Sequence, residues 1–182
     1  MRILPPLRQG TYGAMCGAYA AVNAVRYLCG LNDDESRTVL REMIAGHEHV
    51  LRRASCVGMD DGEVSYLIDD ACRAPVAGWR LGWERTHVLV DTPAQFLYRM
   101  RLDRTSAVAD GGRAVHVVGL GAPVPHWTVV RYAGPLGLLL YDSVGTPSLP
   151  ADRLTLRRTR RGTQLEGRQV FRLTAQRVTE GS

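Results

Sequence analysis

Cys16 is the residue of this 182-residue chain whose surroundings best suit covalent chemistry. It begins an alanine-rich, strongly apolar segment that ends at Gly30, a pattern that predicts a buried helix stopped by a glycine. Unpaired N–H groups in the first turn of a helix stabilise a thiolate, the nucleophilic form of cysteine. The sequence therefore predicts a nucleophile at Cys16, whereas Cys29, Cys56 and Cys72 lie inside or near predicted helices and are expected to pack as small hydrophobes.

A histidine and an aspartate that could serve this thiolate lie in the second half of the chain. His126 opens a predicted strand, and Asp142 ends the strand that follows it. The start of one strand in an antiparallel hairpin lies beside the end of the next, so the two side chains are expected to meet. The carboxylate would then orient the imidazole, and the imidazolium would stabilise the Cys16 thiolate.

Gln9 is a candidate for the remaining requirement of such a site, a donor to the oxyanion of a tetrahedral intermediate. It precedes Cys16 across a glycine-bearing loop at residues 9–15. Its side-chain amide and the backbone N–H of Cys16 would be the two donors.

Together these residues resemble the papain-like cysteine peptidases, among them the bacterial bacteriocin-leader peptidases and the Josephin-type deubiquitinases. The resemblance rests on Gln9, on Cys16-Gly17 at a helix start, on His126-Trp127 before a β run and on Asp142 at the end of the next strand. It implies that Cys16 is the nucleophile, His126 the general base, Asp142 the orienting acid and Gln9 the oxyanion donor. It also implies a papain-like fold in which the nucleophile helix packs on a C-terminal antiparallel sheet.

Three further helices are predicted by the residues at their starts. Asn32 followed by Glu35 forms a capping box, residues 60–61 place two acids at a helix start, and residues 92–95 combine a capping threonine, a proline and a glutamine. Apolar side chains at helical spacing give each helix a buried face: Val39, Leu40, Met43 and Ile44; Val64, Leu67, Ile68, Ala71 and Cys72; Phe96, Leu97 and Met100.

The β pattern dominates the later part of the chain. Strands are predicted at residues 114–120, 127–132, 138–141, 154–156 and 170–173, with one or two more between residues 78 and 90. Helices that mostly precede strands favour an α+β fold with an antiparallel sheet over alternating βαβ units. We expect residues 1–182 to form a single domain, mainly helical over 1–110 and mainly sheet over 111–182.

The charge composition excludes several mechanisms, because all 23 basic residues are arginine and the net charge is +5. Without lysine there is no P-loop, no Schiff base and no lysine general base. The densest basic run comprises Arg157, Arg158, Arg160 and Arg161, which could bind an acidic protein partner. No nucleic-acid motif accompanies it, so we do not expect nucleic-acid binding.

The remaining histidines are expected to be structural. His116 lies in an apolar strand and is expected to be a core residue, with a reserve role as the base, and His87 is expected at a strand end. His47 and His49 in His47-Glu48-His49 do not share a helix face, so neither a metal nor another cofactor is expected.

The sequence also bears on location. No apolar run approaches the length of a membrane span, and the start lacks the apolar stretch of a signal peptide. We expect a protein that does not enter membranes and is cytoplasmic, or exported by a route that needs no Sec signal.

The sequence thus predicts a thiol hydrolase that acts on a peptide, isopeptide or amide bond of a protein or peptide substrate through an acyl-enzyme. A glutamine deamidase, or an acyl-transfer effector or toxin, would use the same triad. A binding module without catalytic activity, which docks through its arginine-rich surface, is the alternative from another class.

Overall fold

The computed structural model of the chain describes residues 3–9, 15–49, 58–86, 88, 90–109, 112–121, 125–156 and 162–178. Within these ranges lie four α-helices of 13 or more residues: α1 (Cys16–Cys29), α2 (Asp33–Gly46), α3 (Asp61–Arg73) and α4 (Pro93–Ala109). The same ranges contain seven strands: β1 (Trp79–Arg85), β2 (Arg113–Leu120), β3 (His126–Gly134), β4 (Gly137–Tyr141), β5 (Ser148–Pro150), β6 (Leu154–Thr155) and β7 (Thr163–Arg177). The predicted α+β class is confirmed. None of the described helices is long and apolar enough to cross a membrane.

The strands form one main sheet in the order β1-β7-β2-β3-β4-β5, with each neighbouring pair antiparallel. The short β6 lies off this path and pairs parallel to β7. The prediction at residues 170–173 covered only part of β7, which extends further because it pairs with both β1 and β2. The sequence prediction missed β5, which pairs only with β4 and ends at Pro150, a residue that is tolerated at a sheet edge.

Helix α1 is buried between the sheet on one side and helices α2 and α3 on the other. Four alanines on α1 are at most 2 % exposed, and these small side chains allow its neighbours to approach closely: Ala18, Ala20, Ala21 and Ala24. The core on this face of the sheet includes Val117, Val129 and Phe171. Helix α1, which begins at Cys16, therefore packs on the antiparallel sheet.

Helix α4 covers the opposite face of the sheet. Its Phe96, Leu97 and Met100 are at most 4 % exposed, as the sequence predicts, and they form a second core with Val118 and Val170. The sheet therefore has helices on both faces: α4 covers one face, and α1, with α2 and α3 behind it, covers the other.

Capping groups fix where two of the helices start. Asn32 accepts a hydrogen bond from the Glu35 backbone, and the Glu35 side chain accepts one from the Asn32 backbone, which completes the predicted box of α2. Asp60 and Glu63 form the same box at α3. These caps satisfy backbone donors that a helix leaves unpaired at its start.

Candidate active site

Cys16 is the first residue of α1 and is 5 % exposed. Met15, which precedes the helix, makes no capping hydrogen bond with its side chain, and the first turn contains no acidic residue. Because neither Met15 nor an acid of the first turn caps the positive end of the helix, that end can stabilise a thiolate on Cys16.

Gly17 allows a second segment to come unusually close to the start of α1. A Cβ atom at this position would lie 2.7 Å from both Met59 Sδ and Val64 Cγ2. On its other side the segment is held by Trp127, whose Nε1 donates a 3.0 Å hydrogen bond to the Met59 carbonyl oxygen. The segment before α3 is thus fastened between α1 and β3, the two elements that carry Cys16 and His126.

The β3–β4 hairpin brings His126 and Asp142 together, as the sequence predicts. Val129 pairs with Tyr141, so Asp142 lies just beyond the paired end of β4, beside the start of β3. The distance from His126 Nε2 to Asp142 Oδ1 is 2.6 Å. The Asp142 side chain has no exposed surface and that of His126 is 15 % exposed.

The Cys16 side chain completes this group, because it lies near enough to the His126 ring to raise the pKa of the imidazole. Burial lowers the pKa of His126, but the hydrogen bond and charge of Asp142, together with the influence of Cys16, outweigh it, and the pKa rises to about 9. The imidazole is therefore protonated at neutral pH. Since Nε2 faces Asp142, Nδ1 is the ring nitrogen left for Cys16.

Asp142 is held by four donors. His126 and Thr128 Oγ1 contact Oδ1, the latter at 2.7 Å, and the backbone N–H groups of Val144 and Thr146 both donate to Oδ2 at 3.1 Å. Burial raises the pKa of Asp142, but the hydrogen bonds from His126, Thr128 and the backbone lower it below its usual value. One carboxylate thus caps the turn after β4 and orients the histidine.

Gln9 lies beside the residue that follows the acid. The Ser143 hydroxyl donates a 3.0 Å hydrogen bond to Gln9 Oε1, and the Gln9 backbone N–H donates to the Ser143 carbonyl oxygen at 3.4 Å. Gln9 is 6 % exposed. Because Oε1 is occupied by Ser143, the Nε2 amide group remains as the donor that a ligand could use.

The N-terminal segment before Gln9 is anchored by two polar residues of α1. Asn23 accepts from the Leu7 N–H at 2.8 Å and donates to the Leu7 carbonyl oxygen at 3.1 Å. Arg26 Nε donates to the Pro5 carbonyl oxygen at 2.9 Å. Both side chains are at most 2 % exposed. Sequence reasoning missed these residues, although polar groups inside an otherwise apolar helix are a sign of a buried partner.

Sequence reasoning also missed Thr128 and Ser143, which bind the acid and the glutamine. Thr128 had a detectable signature, because it stands two residues after His126 on a strand and must share its face. Ser143 follows Asp142 in a turn, where a serine is common for local reasons, so nothing in the pattern marked it.

His116, the reserve candidate for the base, and His47 lie away from Cys16, His126 and Asp142. His116 is 2 % exposed on β2, and its Nε2 lies 3.8 Å from Asp103 of α4, on the other side of the sheet from α1. His47 Nε2 lies 2.6 Å from Asp70 of α3. The predictions for Cys56, His87, Arg157, Arg158, Arg160 and Arg161 fall outside the described residues.

The other two described cysteines differ from Cys16 in their surroundings. Burial raises the pKa of Cys29 to about 12 against a smaller lowering by Arg113. Burial, with the nearby Asp69 and Cys29, raises the pKa of Cys72 to about 12. Both thiols therefore stay protonated at neutral pH and are poor nucleophiles.

No protein-family model, no curated protein and no solved structure matches the chain.

Proposed function

We propose that the protein is a thiol hydrolase that cleaves an amide bond of a peptide or protein through a thioester on Cys16. The observation that carries the proposal is the convergence of Cys16, His126 and Asp142 at one place. The three come from the start of a helix and from two neighbouring strands. A buried carboxylate on one ring nitrogen and a thiol on the other is the arrangement that nucleophilic catalysis by cysteine needs.

The proposed resting state is an ion pair of the Cys16 thiolate and the His126 imidazolium. The thiolate adds to the carbonyl carbon of the scissile amide, and the carbonyl oxygen becomes an oxyanion. As that intermediate collapses, the imidazolium donates its proton to the leaving amine and the C–N bond breaks. The products of this half-reaction are a thioester on Cys16 and a neutral imidazole.

Water completes the cycle. The neutral His126 takes a proton from a water molecule as its oxygen adds to the thioester carbonyl, and the thiolate then leaves with the C–S electron pair. Asp142 keeps the ring aligned through both half-reactions and stabilises its charged form. The Gln9 amide and the Cys16 backbone N–H are the proposed donors to the oxyanion.

The order of Gln9, Cys16, His126 and Asp142 along the chain, and their resemblance to the papain-like cysteine peptidases, support a peptide or isopeptide substrate. A glutamine deamidase would release ammonia by the same steps, and an acyl transferase would replace water by another acceptor. The products of the reaction distinguish these three variants of one mechanism.

Acylation by p-nitrophenyl acetate tests the proposal without knowledge of the natural substrate. We expect a burst of p-nitrophenolate, an acetyl group on the peptide that contains Cys16, and its loss to water. The Cys16→Ala variant should show neither burst nor acetylation. The Cys72→Ala variant is the matched control and should behave as the wild type, because Cys72 is protonated at neutral pH.

Equal rates of p-nitrophenolate release would contradict the proposal. If wild-type protein and the Cys16→Ala variant release it at the same rate, Cys16 is not a nucleophile and the proposed function is wrong. A thioester that forms and then persists in water would contradict the hydrolytic half of the cycle and favour acyl transfer.

A further inference from the structure

A cleft of about 390 Å³ lies against the turn that holds Asp142. The N-terminal segment forms one wall, through Ile3, Pro5 and Arg8, and strands β3 and β4 form the other, through Arg131 and Leu140. The turn at residues 142–147 forms its end. No step of the proposed mechanism uses this cleft.

Arg131 reaches the cleft from a β-bulge. The β3–β4 pairing joins Val130 to Leu140 and Tyr132 to Leu139, so Arg131 is the extra residue on β3. Bulges re-aim the side chain of the extra residue and recur next to functional sites. Arg131 Nε is buried and has no hydrogen-bond partner within the described part of the chain.

Arg8 is positioned from the other side by a glycine. Gly145 has a φ of 95°, in the left-handed region that favours glycine, and a Cβ atom there would collide with the Arg8 guanidinium. The guanidinium therefore lies directly against the backbone of the turn. Any larger residue at position 145 would displace it.

The two guanidinium groups carry charge that the cleft itself does not neutralise. Among the residues that the structure describes, neither Arg8 nor Arg131 forms an ion pair. The acid in the cleft wall, Asp142, has no exposed side-chain surface and already accepts four hydrogen bonds. The remaining wall is largely aliphatic, with Ile3, Pro5 and Leu140.

We propose that this cleft binds the carboxylate of an acidic residue in a peptide. Guanidinium groups bind carboxylates through paired N–H donors, and two arginines, Arg8 and Arg131, line this one cleft. The aliphatic wall suits the apolar neighbour of the acidic residue and would add nothing to the binding of a free inorganic anion. That the bound peptide is also a substrate rests on the proposed function.

Titration of the Cys16→Ala variant with two tripeptides, followed by backbone amide NMR signals, tests the site without turnover. The probes are acetyl-Leu-Glu-Leu-amide, its Gln counterpart and inorganic phosphate. We expect the Glu peptide to shift the signals of Arg131, Gly145 and Thr146 and to bind at least about tenfold more tightly than either other probe.

Arginine variants assign the effect to the cleft. Arg8→Gln and Arg131→Gln should each weaken binding of the Glu peptide about tenfold, and Arg131→Lys should weaken it less, because it keeps the charge and loses the fork. Arg41→Gln is the matched control, since Arg41 is exposed on α2 and outside the cleft, and it should bind as the parent does. Circular dichroism verifies that each variant is folded.

Three results would overturn the inference. They are equal affinity for the Glu and Gln peptides, unchanged affinity in a folded Arg131→Gln protein, and phosphate binding as tight as that of the Glu peptide. Because binding is measured without Cys16, failure of the acylation experiment leaves this result standing, and failure here leaves the acylation result standing.

Discussion

The Thr128 hydroxyl donates a 2.7 Å hydrogen bond to Asp142 Oδ1, the same carboxylate oxygen that forms a hydrogen bond with His126 Nε2. Thr128 is 1 % exposed and lies on the same strand as the histidine. It thus fixes the carboxylate from the side opposite the turn, whose N–H groups hold the other oxygen.

We expect Thr128→Val to lower the rate of Cys16 acylation about tenfold, because it removes a hydrogen bond to a charged group at nearly constant side-chain volume. The acid limb of the pH–rate profile should also move to higher pH, because the Thr128 hydroxyl helps keep the pKa of Asp142 low. Thr105→Val, on exposed helix surface, is the control. An unchanged acid limb in Thr128→Val would show that the threonine does not position the acid.

The pKa of about 9 for His126 can be measured from the NMR signals of its ring protons. Asp142→Asn removes the hydrogen-bonded charge that raises this pKa. The titration midpoint should therefore fall by at least about one pH unit, which is the usual effect of a nearby carboxylate on a pKa. Thr105→Val should leave it in place. A wild-type midpoint near the ordinary value of 6.5 would contradict the ion pair.

His126 and Asp142 also make the free energy of unfolding depend on pH. Because the pKa of His126 is raised on folding, its contribution is complete below pH 6.5 and is lost as the pH rises through about 9. The pKa of Asp142 is lowered, so its contribution is present above pH 3.8 and is lost as the pH falls. Urea unfolding across this range should show both losses, and His126→Gln should remove the alkaline one.

Iodoacetamide should label Cys16 before Cys29 or Cys72. At a mildly acidic pH a thiolate paired with an imidazolium still reacts, whereas thiols whose pKa is about 12 do not. Peptide mapping after brief labelling identifies the modified residue. His126→Gln should slow the labelling of Cys16 at this pH and leave the other two unchanged. Equal labelling of Cys16, Cys29 and Cys72 in the native protein would contradict the prediction.

Gly17→Ala should destabilise the protein by about 1–3 kcal/mol, the usual effect of overpacking, because its Cβ would meet Met59 and Val64 at 2.7 Å. Gly46 is a suitable comparison within a helix, since among the described residues a Cβ there would have only Asp70 near it, at 3.5 Å. Gly46→Ala should be neutral or stabilising. Urea unfolding measures both, and equal effects would show that the close approach at Gly17 has no energetic weight.

Asn23→Ala should destabilise the protein by roughly 1–3 kcal/mol, because it leaves the Leu7 N–H and carbonyl groups without their partner. It should also slow acylation, since the segment that carries Gln9 loses an anchor. Asn32→Ala removes a helix cap at a cost of about 1 kcal/mol and does not touch that segment. We expect acylation of Cys16 to be slower in Asn23→Ala and unchanged in Asn32→Ala. Equal acylation rates in the two variants would contradict the role of Asn23 as an anchor of the segment that carries Gln9.

The helices and most strands could be predicted because their determinants are local. Asn32 with Glu35, and the two acids Asp60 and Asp61, both mark helix starts that the structure contains. The meeting of His126 and Asp142 followed from hairpin geometry, which needs only the ends of two consecutive strands. The interaction of Cys16 with this pair joins elements far apart in sequence, and its prediction rests on the chemistry that a thiolate needs and on the resemblance to the papain-like cysteine peptidases.

The features that could not be predicted from the sequence depend on contacts between distant segments. The length of β7 depends on β1 and β2, its partners on either side, and no local pattern encodes two partners at once. The anchoring of Leu7 by Asn23 and the bulge at Arg131 likewise depend on neighbours that only the folded chain supplies. Such features are set by tertiary packing, which overrides intrinsic preference.

Strand β7 lies between β1 and β2, although it follows both in the chain. During synthesis on the ribosome, β1 therefore has no sheet neighbour, and the sheet face of α1 stays incompletely covered until residues 163–177 emerge. Pairing over such sequence distances is slow. The nascent polypeptide consequently carries Cys16 without His126 and Asp142 for most of translation, so the proposed nucleophile meets its proposed base and acid only after β3 and β4 have been made.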